Sequence, residues 1–298
     1  MNEDRSTHVR CWRAALGPLG AGMGTASAVP AGLWRTELPR LEALGYRAAW
    51  PNEGVGGRDA LAESAVMLAA NNEMVIGTGI ANIWMRLATT MQAGGRALAE
   101  AYPDRFVLGL GVSVAAAVEP VTGQGFDKPA QRMREYLQRM LEAEDEVAVP
   151  RLIAAMGPRM LEVAAEDADG AIPSAMPVTH TAYARSVLGP DKLLVVGVAA
   201  YLGEDVAQAR AEAKSSGLFQ IPGSPYVENY RRLGYDLTAG PTDQLVTDAF
   251  AIGGPTDIAS RVIAHLEAGA DHVIVQVTAP GVKEMVTGLT QIASEFPT

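Results

Sequence analysis

The run Phe106-Val107-Leu108-Gly109-Leu110-Gly111 is apolar at every position. A strand with one exposed face alternates apolar and polar residues, whereas a strand buried on both faces does not. The run therefore predicts a strand of a parallel sheet whose two faces are both covered. Parallel strands need crossover connections, which are usually helices, so helices are expected on either side of it.

Similar short apolar runs recur along the chain, separated by amphipathic or alanine-rich helical segments. We interpret eight runs as strands: Val9–Leu16, Tyr46–Trp50, Met74–Ile80, Phe106–Val112, Arg151–Met156, Gly170–Ile172, Leu193–Leu202 and His272–Val277. Gly45 and Gly269 end two of the helices, while Pro158 and Pro255 begin two others. This alternation predicts a parallel sheet with right-handed crossovers, closed into a (β/α)8 TIM-type barrel.

We predict a single barrel domain over residues 1–298, a length compatible with the roughly 250 residues of such a fold. Two segments are longer than ordinary connectors: Ser113–Lys128 after the fourth strand, and Gly217–Pro255 before the last helix. In a barrel, insertions after strands usually shape the mouth of the active site. Ordinary surface decoration is the alternative.

Composition narrows the class of protein. The net charge is −10 and Lys/Arg residues form no dense tract, so nucleic acid is not an expected partner. Because no apolar stretch approaches ~18 residues and the first ten are polar, we expect a cytoplasmic protein without a membrane span. Cys11 is the one cysteine, expected to be inert and packed on the first strand. His8, His180, His265 and His272 are scattered, so no metal site is predicted.

Several segments together resemble a known family. They are Leu41–Tyr46, Val75–Trp84, Tyr102–Gly111, Gly157–Leu161, Ala168–Ala171 and Ala268–Val273. In this order and spacing they resemble the luciferase-like monooxygenase superfamily, and most closely its actinobacterial deazaflavin (coenzyme F420)-dependent oxidoreductases. The resemblance implies hydride transfer between that cofactor and a small organic substrate. An FMN-dependent monooxygenase and a cofactorless barrel of the same family are the alternatives.

The resemblance also implies candidate cofactor-binding positions. At Gly79-Ile80 it implies a β-bulge behind the cofactor ring, which in deazaflavin-dependent members often carries a non-prolyl cis peptide. The candidate cofactor-binding residues are Asn52, Gly79, Ile80, Asn82, Gly111, Ser113, Ala155, Met156, Gly157, Pro158 and Arg159. Trp84 either walls off the ring or packs under a loop, and Arg86 points into the mouth or lies on a solvated helix.

Two residues are predicted to be catalytic, Glu53 and Asn82. Some relatives carry an acidic residue followed by histidine after the second strand, where this chain has Asn52 and Glu53. A buried Glu53 would serve as a general acid or base, and a solvated loop carboxylate is the alternative. Relatives place glutamate or histidine after the fourth strand, whereas Val114 here cannot transfer a proton.

The turn Ala155–Arg159 is the best candidate phosphate site, because a helix N-terminus offers unpaired N–H groups and Arg159 adds positive charge. Residues Gly20–Gly24 do not have the spacing of a dinucleotide fingerprint, and we interpret them as a flexible loop at the mouth. The late insertion contains Tyr226, Asn229, Tyr230, Arg231 and Arg232, which form a lid or anion site or a solvated helix face. The resemblance implies a homodimer, with helices Leu61–Ala70 and Leu87–Ala101 as candidate interface elements.

Overall fold

The computed structural model describes residues 2–25, 29–142, 147–221 and 223–296. Its strands are β1 (Leu19–Thr25), β2 (Ala48–Asn52), β3 (Val75–Gly77), β4 (Ala81–Asn82), β5 (Phe106–Gly111), β6 (Arg151–Ile153), β7 (Gly170–Ala171), β8 (Leu193–Leu202), β9 (Ala251–Gly253) and β10 (His272–Val277). The helices are α1 (Asn2–Leu16), α2 (Trp34–Ala43), α3 (Ala60–Leu68), α4 (Ala88–Ala101), α5 (Ala115–Thr122), α6 (Pro129–Leu141), α7 (Pro158–Asp167), α8 (Val178–Leu188), α9 (Val206–Lys214), α10 (Pro225–Arg232), α11 (Asp243–Ala249), α12 (Pro255–Glu267) and α13 (Val282–Ala293).

Eight parallel strands close into a barrel with helices between them, as the sequence predicts. The hydrogen-bonded order is β1, β2, β3, β5, β6, β7, β8 and β10, and β10 returns to pair with β1. Two short strands are extra: β4 continues past β3 along β5, and β9 pairs with the far end of β8. The predicted bounds of the strands Leu193–Leu202 and His272–Val277 are confirmed.

The prediction of a strand at Val9–Leu16 is wrong, because these residues form the end of α1. Val9, Trp12 and Leu16 follow the helical spacing i, i+3, i+7, so they share one face. That face is buried against the residues that fill the barrel interior, among them Trp50 and Ile274. Helix α1 therefore closes the amino-terminal end of the barrel, and each of its three buried side chains contributes about 1.5–3 kcal/mol.

The first strand is instead β1, so the prediction of a flexible loop at Gly20–Gly24 is also wrong. Glycine is needed here for space rather than for flexibility. A Cβ atom on Gly20 would lie 2.2 Å from Nε2 of His272 and 3.0 Å from Nε1 of Trp50. The glycines of β1 leave room for large interior side chains from the neighbouring strands β2 and β10.

Both predicted insertions belong to connections that leave the carboxyl ends of strands. Residues Ser113–Lys128 follow β5 and contain α5, and Gly217–Pro255 contains α10, α11 and β9. The second insertion packs its own apolar cluster around Tyr230 and Phe250. It precedes α12, which is not the last helix, because α13 follows β10.

Candidate functional site

A cavity of about 150 Å³ opens where the carboxyl ends of the barrel strands meet. Barrel enzymes carry their active sites at this end. Its lining residues come from seven of the barrel strands or the segments that follow them, and from the late insertion: Gly22, Trp50, Asn52, Gly79, Ile80, Ala154, Met156, Ile172, Ser174, Gly197, Val198, Ala199, Tyr226, Ile274 and Gln276. The cavity is smaller than the 300–1,000 Å³ of typical ligand pockets, so it accommodates only part of a larger ligand.

The predicted bulge is present where β3 gives way to β4. The peptide bond between Gly79 and Ile80 is cis. The Gly79 N–H donates to the Pro51 carbonyl at 2.8 Å, and the Ile80 carbonyl accepts from the Glu53 N–H at 3.2 Å. These two bonds tie the bulge to the end of β2. Gly79 and Ile80 both line the cavity, as expected for a surface behind a bound ring.

Asn52 lies beside the bulge and also lines the cavity. Its Oδ1 atom is 3.4 Å from the position that a Cβ of Gly79 would occupy. The side chain makes no hydrogen bond to the residues that the structure describes. Asn52 therefore offers an amide donor and acceptor to a ligand at the same edge of the cavity.

Glu53, by contrast, does not line the cavity, and its carboxylate is fully engaged elsewhere. It accepts hydrogen bonds from the backbone N–H groups of Ala60 (3.1 Å) and Asn82 (2.6 Å). It also forms an ion pair with Arg86, and the Glu53 side chain is only 3% exposed. This geometry does not support the predicted role of Glu53 as a general acid or base. It supports neither a solvated Glu53 carboxylate nor an Arg86 directed to solvent.

The ion pair is part of a small network that fixes the end of β2 to β4 and α3. Arg86 also donates to Asp59 at 2.7 Å, and Asp59 accepts from the first N–H groups of α3. Burial lowers the pKa of Arg86, but its bonds to Glu53 and Asp59 outweigh this and raise it. The network therefore positions the chain around the bulge rather than reacting groups.

Asn82 is buried just past the bulge and also does not line the cavity. Its Oδ1 accepts from the Trp84 N–H at 3.0 Å, which shapes the turn after β4. Its Nδ2 atom is buried and has no partner in the described part of the chain. The structure therefore places Asn82 outside the cavity lining, and its catalytic role stays a prediction.

Gly111, the last residue of β5, and Ser113, which follows that strand, do not line the cavity. Gly111 accommodates the Ile80 side chain, whose Cδ1 would be 2.5 Å from an added Cβ. Ser113 has a left-handed backbone with φ of 58° and begins the turn into α5. Trp84 donates its indole N–H to the Val112 carbonyl at 2.9 Å and is buried beside Phe126. Trp84 thus packs under the loop after β5, which was the alternative to walling off a ring.

The candidate phosphate site at Gly157 contains two polar side chains of the late insertion in addition to the residues that the sequence indicates. Gly157 is the N-cap of α7 and Pro158 is its first residue. Helix α10 faces this turn: Nη1 of Arg232 and Oδ1 of Asn229 would lie 3.4 and 3.5 Å from a Cβ on Gly157. Arg159, the second residue of α7, is exposed. Arg232 therefore brings a guanidinium beside the turn, and it also donates to Asn229.

The helix α10 is not simply the solvated face that the sequence favoured. Asn229 and Tyr230 are buried, whereas Glu228, Arg231 and Arg232 are exposed, and Arg231 pairs with Glu228. Met156, before the Gly157 turn, lines the cavity, whereas Ala155 is buried beneath it. The insertion thus covers both the cavity and the α7 N-terminus.

His180, His265 and His272 are buried and hydrogen-bonded, whereas the cysteine lies at the surface. His272 receives the Trp50 indole N–H at 3.0 Å and donates from Nδ1 to the Gly17 carbonyl at 2.8 Å. His180 contacts the Met156 carbonyl, His265 contacts Thr181, and burial lowers the pKa of both histidines. Among the residues that the structure describes, which exclude the side chain of His8, no cluster of three metal-ligating side chains occurs. Cys11 is exposed on α1, so its prediction as a packed strand residue is wrong.

Sequence reasoning missed two polar residues of the cavity, Ser174 and Gln276. Gln276 interrupts the apolar residues that follow His272 in β10 and is the one exposed residue of this strand. In a barrel interior, a lone polar residue near the carboxyl end of a buried strand indicates solvent access at that point. Ser174 lies just after the carboxyl end of β7 and forms an isolated β-bridge with Gly197 of β8.

Comparisons with known proteins agree with this geometry. The model of the luciferase-like monooxygenase family matches residues 35–272. A 5,10-methylenetetrahydromethanopterin reductase of Methanolobus tindarius is 25% identical over 284 residues, covering 78% of this chain and 86% of that one.

Two solved structures share the fold. An F420-dependent secondary alcohol dehydrogenase in complex with an F420–acetone adduct aligns with a TM-score of 0.74 at 14% identity, covering 92% of this chain and 97% of that one. The oxygenating constituent of 3,6-diketocamphane monooxygenase from Pseudomonas putida, in complex with FMN, aligns with a TM-score of 0.64 at 11% identity, covering 93% and 97%. The chain belongs to the luciferase-like monooxygenase family. It is therefore an oxidoreductase with a (β/α)8 barrel.

No helix in the described ranges has both the length and the apolar character needed to cross a membrane.

Proposed function

We propose that this protein transfers hydride between a deazaflavin of the coenzyme F420 type and a small organic substrate. The observation that carries the proposal is the cavity at the carboxyl ends of the strands, with the Gly79-Ile80 bulge on one side and the Gly157 turn beside its rim. The printed functions of the Methanolobus reductase and of the secondary alcohol dehydrogenase support the choice of cofactor class.

The lining of the cavity suits a flat ring with a polar edge. Ile80, Ile172 and Ile274 offer aliphatic surface, while Asn52 and Gln276 offer amide groups. When bound, a deazaflavin supplies two-electron hydride chemistry that protein side chains lack. The residues of this chain then orient the ring and keep the reacting face away from bulk water.

The Gly157 turn supports binding of an anionic cofactor tail. Unpaired N–H groups at the start of α7 and the positive end of its dipole favour negative charge. Arg232 and Asn229 flank the same turn, so a phosphate there would meet a guanidinium and an amide as well as the backbone. We therefore assign tail binding to Gly157, Pro158 and Arg232, whose guanidinium lies beside the turn, and a weaker role to Arg159.

FMN is the second candidate cofactor, because the fold is shared with a monooxygenase whose structure contains FMN. FMN also combines a flat ring with a phosphate. The cavity and the Gly157 turn therefore do not discriminate between FMN and the deazaflavin. A barrel that has lost its cofactor is the third reading, motivated by Val114 at a position where relatives carry a proton-transferring residue.

The test is a titration of the purified protein with coenzyme F420 and, separately, with FMN, followed by quenching of cofactor fluorescence. We expect saturable binding of the deazaflavin in the micromolar range and weaker binding of FMN. Tighter binding of FMN would select the monooxygenase reading. If neither cofactor binds to protein whose circular dichroism shows a folded barrel, the proposal is wrong and the cofactorless reading replaces it.

We also propose a cytoplasmic homodimer that joins through α3 and α4. Val66 and Leu87, at these helices, are exposed apolar residues (36% and 74%). Sedimentation velocity on the wild type and on Leu87→Glu measures the expected shift from dimer to monomer.

A further inference from the structure

Tyr226 is the one ionisable side chain that lines the cavity, among the residues that the structure describes. It lies in the first turn of α10, so the late insertion places it over the strand ends. The other polar side chains of the lining (Asn52, Ser174, Gln276 and the indole of Trp50) are neutral. Any proton transfer by a side chain within this cavity therefore falls to Tyr226.

The hydroxyl group of Tyr226 is available to a ligand. It has no hydrogen-bond partner in the described part of the chain, whereas two neighbouring tyrosines are engaged: Tyr230 donates to the Ala175 carbonyl and Tyr235 donates to Asp248. Burial raises the pKa of Tyr226. The group therefore stays protonated at neutral pH and acts as a donor, not as a base.

The charge of the lining restricts the substrate. A charged reacting group placed in this cavity would have no opposite charge to compensate its desolvation. A neutral group with an oxygen acceptor matches the available partners better, because it needs only hydrogen bonds. Among hydride acceptors, an uncharged carbonyl has such an oxygen, on which negative charge develops as the hydride arrives.

We propose that Tyr226 is a catalytic residue that donates a hydrogen bond, and then its proton, to the oxygen of an uncharged carbonyl substrate. The proposal rests on the hydride-transfer function proposed above. It fills the role that Val114 cannot perform, from a different segment of the chain.

The atoms and electrons of this step balance. The hydride supplied by the reduced two-electron cofactor forms a bond to the carbonyl carbon, and the π pair of the C=O bond moves onto the oxygen. That oxygen takes the proton of the Tyr226 hydroxyl, which yields the alcohol and the oxidised cofactor. The phenolate left on Tyr226 is reprotonated by water, which reaches the open end of the cavity.

The first experiment measures the hydrogen bond without turnover. Acetone labelled with 13C at the carbonyl is titrated into the wild type and into Tyr226→Phe, and the carbonyl resonance is followed by NMR. A donor keeps this resonance at or downfield of its position in water, whereas an apolar site moves it upfield. We expect the bound resonance to move upfield only in Tyr226→Phe. Tyr235→Phe, which loses a hydroxyl on the same insertion but outside the cavity, should match the wild type.

The second experiment measures turnover of small neutral ketones with reduced coenzyme. We expect Tyr226→Phe to lower kcat about 100-fold, as is usual for loss of a general acid, with unchanged cofactor affinity by fluorescence quenching. The proposal is overturned if the variant keeps both the carbonyl resonance and kcat, if acetone does not bind the wild type, or if the variant loses cofactor affinity instead. Failure of both cofactors to bind the wild type would overturn the proposed function, a separate result.

Discussion

The two ends of this barrel are built in opposite ways. At the amino-terminal end, α1 closes the interior, and the polar groups of Trp50 and His272 bond to one another and to Gly17. At the carboxyl end the interior stays open, and the polar groups of Asn52 and Tyr226 have no partners in the described part of the chain.

The difference shows where the stability and the chemistry of this molecule lie. Satisfied hydrogen bonds and dense packing at one end contribute to folding, while unsatisfied groups at the other end are retained for a ligand. Trp50 belongs to both regions, because its ring lines the cavity and its indole nitrogen bonds to His272. Substitutions on the amino-terminal side of Trp50 should therefore change the free energy of unfolding. Substitutions on its carboxyl side should change ligand binding.

The largest effect is expected at the closed end. Trp12→Ala removes the bulkiest side chain of α1 that seals the barrel, and should lower the free energy of unfolding by about 3–5 kcal/mol. Urea denaturation measures it. Cys11→Ala, an adjacent exposed position on the same helix, should change stability by less than about 0.5 kcal/mol. Equal stability of the two variants would contradict a sealing role for α1.

A pH effect of similar origin follows from His272. Burial lowers its pKa from 6.5 to about 4, while Asp271 and the bond to Gly17 oppose the shift. Because the folded pKa lies below the unfolded one, the unfolded chain binds more protons between these values. The contribution of His272 to the free energy of unfolding should therefore be fully present above pH 6.5 and fall by about 3 kcal/mol as the pH is lowered towards 4.

The measurement is urea denaturation at several pH values for the wild type and His272→Gln. The variant should lose this part of the slope, whatever its stability at neutral pH. His265, whose pKa burial also lowers to about 4, should add a similar slope that His265→Gln removes. A slope that neither substitution changes would refute the assignment.

The closed end also shows why the sequence alone misplaced the first strand. Val9, Trp12 and Leu16 are apolar, which suggested a strand. Their spacing is that of a helix, and this periodicity indicates the observed secondary structure better than their hydrophobicity does. The true strand β1 is rich in glycine, because His272 and Trp50 occupy the space of its side chains. That reason is visible only when the neighbouring strands are in place. The remaining seven barrel strands were predictable because buried parallel strands are apolar at consecutive positions.

At the open end, Gly79, Ile80, Asn52 and Met156 were predicted and do line the cavity. The role of Glu53 was not predictable, since Arg86 lies 33 residues further along the chain. Ser174 and Gln276 are ordinary neutral residues, and only the closure of the barrel brings them together. The sequence therefore indicates the strand ends but not which side chains are already paired.

At the open end, Arg232→Ala tests the Gly157 turn. A charge-assisted bond contributes about 1.5–3 kcal/mol, so cofactor affinity should fall roughly 10- to 150-fold. Arg231→Ala is the matched control, because Arg231 lies on the same helix and pairs with Glu228 at the surface. Cofactor titration should show wild-type affinity for this control. Equal loss in both variants would indicate a general effect of charge rather than a site at Gly157.

The smallest effects are expected at Glu53 and Asp59, which lie between the open end and the packed interior of the barrel. Glu53→Gln keeps the shape of Glu53 but removes the charge that faces Arg86, and its single amide oxygen can accept from only one of the two backbone N–H groups, Ala60 or Asn82. We expect the free energy of unfolding to fall by about 2 kcal/mol, because the charge on Glu53 and the acceptor of one backbone N–H group are lost while Asp59 still pairs with Arg86. Asp59→Asn retains the cap of α3 and removes a half-exposed charge, so it should cost less than about 1 kcal/mol.

Turnover decides whether Glu53 belongs to the closed or the open region. If Glu53 only holds the chain around the bulge, Glu53→Gln keeps most of its kcat at a temperature where it is folded, and its pH–rate profile matches the wild type. Loss of kcat without loss of stability would instead make Glu53 a proton-transferring residue. That outcome would require Arg86 to release the carboxylate when ligand binds, because its oxygens are occupied by Arg86, Ala60 and Asn82 in this structure.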